Sequence, residues 1–115
     1  MNTVNVRMAT PSDLRELAEL FDGYRQFYLQ APDLERARDF IEERLARNDS
    51  WILVAERGDS LVGFSQLYPS FSSTHTSRIA ILNDLFVAAP ARRSGVAAAL
   101  LLASQDLGRK LGLSV

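Results

Sequence analysis

Residues 79–102 constrain the fold of this chain most, because they predict a buried strand, a tight basic turn and a buried helix in direct succession. Residues 79–87 are apolar except for Asn83 and Asp84, and they include several β-branched or aromatic side chains typical of a strand. Pro90 cannot donate to a ladder, so we expect strand pairing to end near Ala88. Residues 94–102 carry no charge and are rich in Ala and Leu, which favours a helix.

The turn between that strand and that helix, residues 91–95, has the composition of an anion site, and we call it the arginine turn. The first N–H groups of a helix have no partner inside the helix and carry the positive end of its dipole. Gly95 and Ala97 leave the backbone accessible, while Arg92 and Arg93 can bind phosphate oxygens. The turn therefore suits a pyrophosphate. An ordinary turn with two solvated arginines stays the alternative.

The same stretch resembles the acetyl-CoA motif of the GNAT superfamily of N-acetyltransferases. That motif is Gln/Arg-x-x-Gly-x-Gly/Ala after a strand and at the start of a helix, and here Arg92, Gly95 and Ala97 match it. Residues 82–87 further resemble the diamine acetyltransferase branch, in which an acidic pair commonly precedes an aromatic residue and Val. In this chain the first member of that pair is Asn83.

The resemblance implies acetyl-CoA as cosubstrate, without a metal. The end of the strand would pair with the pantetheine arm, and a strand N–H would polarise the acetyl carbonyl. The pyrophosphate would lie on the N–H groups of the arginine turn. The implied cofactor-binding residues are Leu85, Phe86, Val87, Arg92, Arg93, Ser94, Gly95, Val96 and Ala97.

Asp84 is the candidate catalytic residue. Alternation along the strand predicts that it shares a mostly apolar face with Leu82 and Phe86, where a carboxylate needs a partner. It is either a general base or ammonium-binding group, or a structural Asp that bonds a loop backbone, and the resemblance favours the first. The acceptor-binding candidates, of which the two tyrosines have plain helix packing as their alternative, are Tyr24, Tyr28, Asn83 and Asp84.

Length and composition exclude several classes of function. A chain of 115 residues predicts one domain, and 13 basic against 14 acidic residues give no reason to expect nucleic acid or a membrane surface as a partner. The absence of Cys excludes disulfides, Cys metal sites and a Cys acyl intermediate. The sequence has no membrane-spanning apolar run and no secretory signal pattern, so we expect a cytoplasmic protein. His75 is expected to be a surface residue of a polar loop.

The order of elements predicts an α/β domain (α+β, with a mixed but mostly antiparallel sheet) with helices on both faces. We expect strands over residues 3–8, 51–55, 61–68 and 79–87. We expect helices over residues 11–29, from residue 34 until Asn48 and Asp49 end it, and from residue 94. Gly63 marks a bulge or a close approach. A polar loop is expected over residues 69–77. This order matches the first part of the GNAT fold.

At the end of the chain, Gly112 closes the third helix and residues 113–115 predict the start of a fifth strand. GNAT domains continue with that strand, another helix and a hairpin, so the resemblance implies an incomplete domain over residues 1–115. One wall of the cofactor gap and the usual tyrosine acid would lie beyond Val115, and Tyr68 is poorly placed to replace that acid. The exposed edge of the fourth strand would favour a homodimer.

Two functions stay open from the sequence. One is an acetyl-CoA-dependent N-acetyltransferase that transfers the acetyl group directly to a primary amine of a small molecule. The other is a non-catalytic acyl-CoA-binding or assembly module. A nucleotide-hydrolysing phosphate loop is disfavoured, because the turn lacks the Gly-Lys-Ser/Thr ending.

Overall fold

Four antiparallel strands form one sheet in the order β1-β2-β3-β4 in the computed structural model, which describes residues 3–115. The strands are β1 (Asn5–Met8), β2 (Trp51–Arg57), β3 (Ser60–Ser72) and β4 (Ser77–Val87). The helices are α1 (Leu14–Phe27), α2 (Leu34–Arg47) and α3 (Val96–Leu111). Short 3-10 turns, Pro11–Asp13 and Ala89–Ala91, precede α1 and the arginine turn. The predicted fold class and order of elements are confirmed.

The helices cover opposite faces of the sheet, as the sequence predicted. Leu17 of α1 and Ile41 of α2 pack with Phe64 on one face, while α3 buries Val96 and Leu100 on the other. Gly63 explains how closely α3 approaches: a Cβ there would lie 2.9 Å from the Phe86 carbonyl oxygen and 3.3 Å from Val96 Cγ1. The predicted close approach at Gly63 is therefore confirmed.

A β-bulge interrupts β4 at Asn83. Asp84 pairs with Gln66 and Leu82 pairs with Leu67, so Asn83 has no partner across the ladder. Leu82 consequently packs in the α3 core, whereas Asp84 faces α1. The prediction that Leu82 and Asp84 share one face was wrong, because regular alternation does not hold across the bulge.

Several predicted boundaries moved. The expected polar loop over residues 69–77 shrinks to residues 73–76, because β3 runs through Pro69 and pairs Ser72 with Ser77. Residues 11–13 form a 3-10 turn rather than the first turn of α1. α3 begins at Val96 and not at residue 94, because Gly95 is its N-cap in a left-handed conformation.

A cluster of ion pairs around Arg7 joins β1, β2 and the start of α1. Arg7 donates to both carboxylate oxygens of Asp13 at 2.8 Å and to Glu56 at 3.3 Å. The hydrogen bonds from Arg7 lower the pKa of Asp13 to about 2, and the same contacts raise the pKa of Arg7. Asp13 also accepts from the Thr10 N–H at 2.7 Å, so this carboxylate fixes the entry into α1.

The outer edge of β4 is paired at one place within residues 3–115. Ser114 forms a parallel bridge to Ile79, and the Ala80 N–H donates to the Ser114 carbonyl at 2.8 Å. The predicted start of a further strand after α3 is confirmed by this bridge. Farther along the edge, Ile81 and Leu85 are 44% and 37% exposed. None of the helices in this part of the chain has the length and apolar character needed to cross a membrane.

Candidate active site

A cleft of about 400 Å³ opens between the C-terminal end of β4, the arginine turn and the last turn of α1. It brings together most of the residues that the sequence nominated for the cofactor, and it adds Phe27, Ala91 and Ala98, which the sequence did not nominate. Ser94, Tyr24, Asn83 and Asp84 do not line it. The lining residues are Phe27, Tyr28, Leu85, Phe86, Val87, Ala91, Arg92, Arg93, Gly95, Val96, Ala97 and Ala98.

The backbone of the arginine turn leaves the start of α3 open to a ligand. Arg93 and Gly95 have φ angles of 63° and 84°, in the left-handed region. Gly95 caps α3 without a side-chain hydrogen bond, and its carbonyl accepts from the Ala99 N–H at 3.0 Å. The N–H groups of residues 96–98 therefore have no acceptor inside the helix. A Cβ built on Gly95 would meet nothing within 4 Å, so the space above the turn is open.

Arg92 joins the end of β4 to the aromatic wall of the cleft. Its Nε donates to the Val87 carbonyl at 2.8 Å. Its guanidinium carbon lies 5.6 Å from the ring centroid of Phe27 and 5.4 Å from that of Phe86. The signal that could have identified Phe27 is a large apolar side chain at a helix end, which the fold leaves 61% exposed.

Asp84 is nearly buried, with 6% of its surface exposed, and side chains are its hydrogen-bond partners. Tyr24 Oη donates to Asp84 Oδ1 at 2.5 Å and Asn83 Nδ2 donates to the same oxygen at 3.0 Å. Within residues 3–115, both hydrogen bonds that the carboxylate accepts end on Oδ1, which leaves Oδ2 for a water or an ammonium group. Neither partner is a loop backbone group, so the observed contacts do not support the alternative role of a structural loop anchor.

Tyr24 connects Asp84 to the cleft. Its ring packs edge-on against Tyr28 and Phe86, with centroids 5.0 Å and 6.1 Å away. Burial, followed by the hydrogen bond to Asp84, raises the pKa of Tyr24 above its ordinary value, so the phenol stays protonated and remains a donor. The pKa of Tyr68 is also raised, first by burial and then by the charge of Asp84.

This geometry combines an open helix N-terminus with two arginines at one end of an aromatic cleft and a hydrogen-bonded carboxylate behind the wall of that cleft. Among the side chains of residues 3–115, no group of three His, Cys, Asp or Glu is placed to hold a metal ion. A family model described as "Acetyltransferase (GNAT) family" matches residues 14–115. The chain belongs to the GNAT acetyltransferase family. GNAT acetyltransferases transfer an acetyl group from acetyl-CoA.

Two curated relatives agree with this membership. The chain is 47% identical over 109 residues to an uncharacterized N-acetyltransferase, YhfO, of Bacillus subtilis, a match that covers 95% of this chain and 73% of the relative. It is 34% identical over 95 residues to a probable acetyltransferase of Haemophilus influenzae, covering 82% of this chain and 65% of that protein. Both relatives are therefore longer than the region they share with this chain.

Solved structures match the fold. The crystal structure of a probable acetyltransferase has a TM-score of 0.86 and 44% identity, and the match covers 92% of this chain and 72% of that one. A predicted acetyltransferase from Clostridium acetobutylicum, solved with acetyl-CoA, has a TM-score of 0.77 over 96% of this chain and 77% of its own. Its 15% identity supports the shared fold alone.

Proposed function

We propose that this chain is an acetyl-CoA-dependent N-acetyltransferase that transfers the acetyl group directly to a primary amine of a small molecule. The observation that carries the proposal is that two features lie together at the C-terminal end of β4. An open helix N-terminus with arginines stands beside the cleft, and the buried Asp84–Tyr24 pair stands behind its aromatic wall. The first suits the cofactor phosphates and the second suits an ammonium group.

The cofactor would lie along the edge of β4 with its pyrophosphate on the arginine turn. In the described part of the chain, this edge is bridged at Ile79 and nowhere beyond Asp84, and the Val87 carbonyl accepts from Arg92 Nε. The other outer backbone groups of residues 85–87 are free to pair with the pantetheine amides. A strand N–H in this segment would donate to the thioester oxygen and stabilise the charge that develops there.

Asp84 would act on the amine. Its Oδ2 accepts a proton from the substrate ammonium through a water, and the neutral nitrogen attacks the thioester carbonyl carbon. The tetrahedral intermediate then breaks its C–S bond, and the proton on the attacking nitrogen passes through water to the departing thiolate, which gives the neutral acetamide and the CoA thiol. Tyr24 and Asn83 both donate to Oδ1 of the carboxylate, so Oδ2 stays free to accept the proton. The absence of Cys agrees with direct transfer.

The acceptor would approach along the aromatic wall. Tyr24 and Tyr28 would enclose its hydrocarbon part, and Asn83 with Asp84 would bind its ammonium group. The likeness of residues 82–87 to diamine acetyltransferases makes a diamine the first acceptor to test, although Asn83 would offer the second amine an amide oxygen in place of a carboxylate.

Calorimetry with acetyl-CoA and turnover with a panel of primary amines, followed by release of the CoA thiol, test this proposal. We expect saturable binding, and Asp84→Asn should lower turnover about 100-fold or more while acetyl-CoA affinity stays unchanged. Tyr24→Phe, the matched control, should keep partial activity, because the carboxylate keeps its charge and its hydrogen bond from Asn83. Binding without turnover of any amine would support the non-catalytic module. A folded chain that does not bind acetyl-CoA would contradict the cofactor assignment.

We also propose that two copies of the chain associate through the exposed edge of β4. Ile81 is a large apolar side chain, 44% exposed, on the part of this edge that precedes the cofactor segment (residues 85–87), and an open edge is a template for pairing with another chain. A second copy would supply a wall for the cofactor gap. Sedimentation analysis should give a dimer at the concentrations used for turnover, and a monomer with full activity would contradict this part of the proposal.

A further inference from the structure

Arg57 lies far from the acetyl-CoA motif in sequence but reaches the arginine turn in space. It is the last residue of β2, and its Nη2 donates to Ser94 Oγ at 3.0 Å. Ser94 Oγ in turn donates to the Ala91 carbonyl at 2.5 Å. This chain of two hydrogen bonds crosses the arginine turn from one end to the other. Arg57 therefore contacts a side chain of the arginine turn.

Three guanidinium groups lie at or beside the arginine turn. Arg57, Arg92 and Arg93 stand beside the positive end of the α3 dipole, and none of the ion pairs found within residues 3–115 includes any of the three. In addition, Arg57 Nε is buried and has no acceptor. Cations at a helix N-terminus are unfavourable, and a buried donor without a partner is costly. The first of these costs falls when an anion occupies the turn.

We propose that Arg57 is a further cofactor-binding residue, which adds a third guanidinium to the phosphate site and is held towards it by Ser94. This inference rests on the proposed function, because it requires the phosphates of acetyl-CoA to occupy the arginine turn. Arg57 does not line the cleft, and it reaches the arginine turn from the side, through Ser94. Its contribution therefore goes to affinity for the cofactor, and the rate at saturating acetyl-CoA stays unchanged.

The test compares Arg57→Met, which removes the charge but keeps an unbranched apolar side chain, with Arg57→Lys, which keeps the charge. We expect Arg57→Met to raise the Kd for acetyl-CoA about 10-fold and to weaken its dependence on salt. Arg57→Lys should restore most of the affinity. The KM for acetyl-CoA should rise with the Kd, and kcat should stay at the wild-type value.

Arg78→Met is the matched control, because Arg78 is an exposed arginine near the opposite end of β4 from the arginine turn. It should bind acetyl-CoA like the wild type. If Arg57→Met also binds like the wild type, or if the Met and Lys variants lose affinity equally, the inference is overturned while the proposed function stands. A wild-type chain that does not bind acetyl-CoA overturns both. Thermal unfolding of each variant identifies any loss that comes from the fold.

Discussion

Two clusters of charged side chains, one around Arg7 and one around the arginine turn, differ in whether carboxylates neutralise the arginines. At one, Arg7 forms a bidentate pair with Asp13 and a further contact with Glu56, so that one guanidinium faces two carboxylates. At the other, Arg57 and the arginine turn bring three guanidinium groups to a helix N-terminus, and no carboxylate of residues 3–115 pairs with them.

The difference teaches which charges serve the fold and which serve a ligand. A partly buried bidentate pair is strong enough to fix elements relative to one another, and Arg7 does this for β1, β2 and the start of α1. The charges of unpaired cations beside the positive end of a helix dipole do not stabilise the folded state. Substitutions at the Arg7 cluster should therefore change stability, and substitutions at the arginine turn should change binding.

Gly95→Glu should have the largest effect, because it supplies the arginine turn with the carboxylate that it lacks. The new charge would compete with the cofactor phosphates at the start of α3, and we expect the Kd for acetyl-CoA to rise about 100-fold or more. Calorimetry measures this. Gly95→Ala is the control, since it shares the strain of a left-handed backbone (φ 84°) without the charge. Equal losses of affinity in the two variants would show that backbone strain, and not charge, is responsible.

Asp13→Asn should lower the stability of the fold and leave cofactor binding unchanged. It removes the ion pair with Arg7, and we expect the free energy of unfolding to fall by about 2 kcal/mol while acetyl-CoA affinity stays unchanged. Urea denaturation followed by fluorescence of Trp51 measures the first, and calorimetry measures the second. A variant that keeps its stability but loses affinity would reverse the roles that we assign to the two clusters.

The pH dependence sharpens the same prediction. The pKa of Asp13 is about 2 in the folded chain, below its ordinary value of 3.8, so its stabilising contribution is complete above about pH 4. That contribution is lost as the pH falls from about 4 through 2. The stability difference between the wild type and Asp13→Asn should therefore shrink over this range, and a difference that stays constant would mean that the charge of Asp13 is not its source.

The sequence predicted those features that depend on neighbouring residues. Residues 79–102 alone predict a strand that carries Asp84, a turn with two arginines and a helix after it. The structure has these three elements in that order. Their local chemistry decides them: Gly95 allows the left-handed turn, and the uncharged run after it forms the helix.

Features set by strand register or by distant contacts were not predicted. The bulge at Asn83 depends on how β4 pairs with β3, and the contact of Arg57 with Ser94 depends on where β2 ends. The predicted extent of the polar loop, residues 69–77, was wrong, because the β3–β4 ladder continues to Ser72 despite Pro69 and the serines around it. No local pattern in those segments reports the identity of the strand beside them.

The bulge means that β4 contains one residue more than its pairing with β3 requires. If Asn83 were deleted, Leu82 and Asp84 would become adjacent, and both would keep their present partners, Leu67 and Gln66, and their present faces. Deletion of a residue elsewhere in a regular strand inverts every side chain on one side of the cut. At this one position β4 can therefore lose a residue and stay in phase. The pairing of the sheet does not need this extra residue, and its side chain donates a hydrogen bond to Asp84.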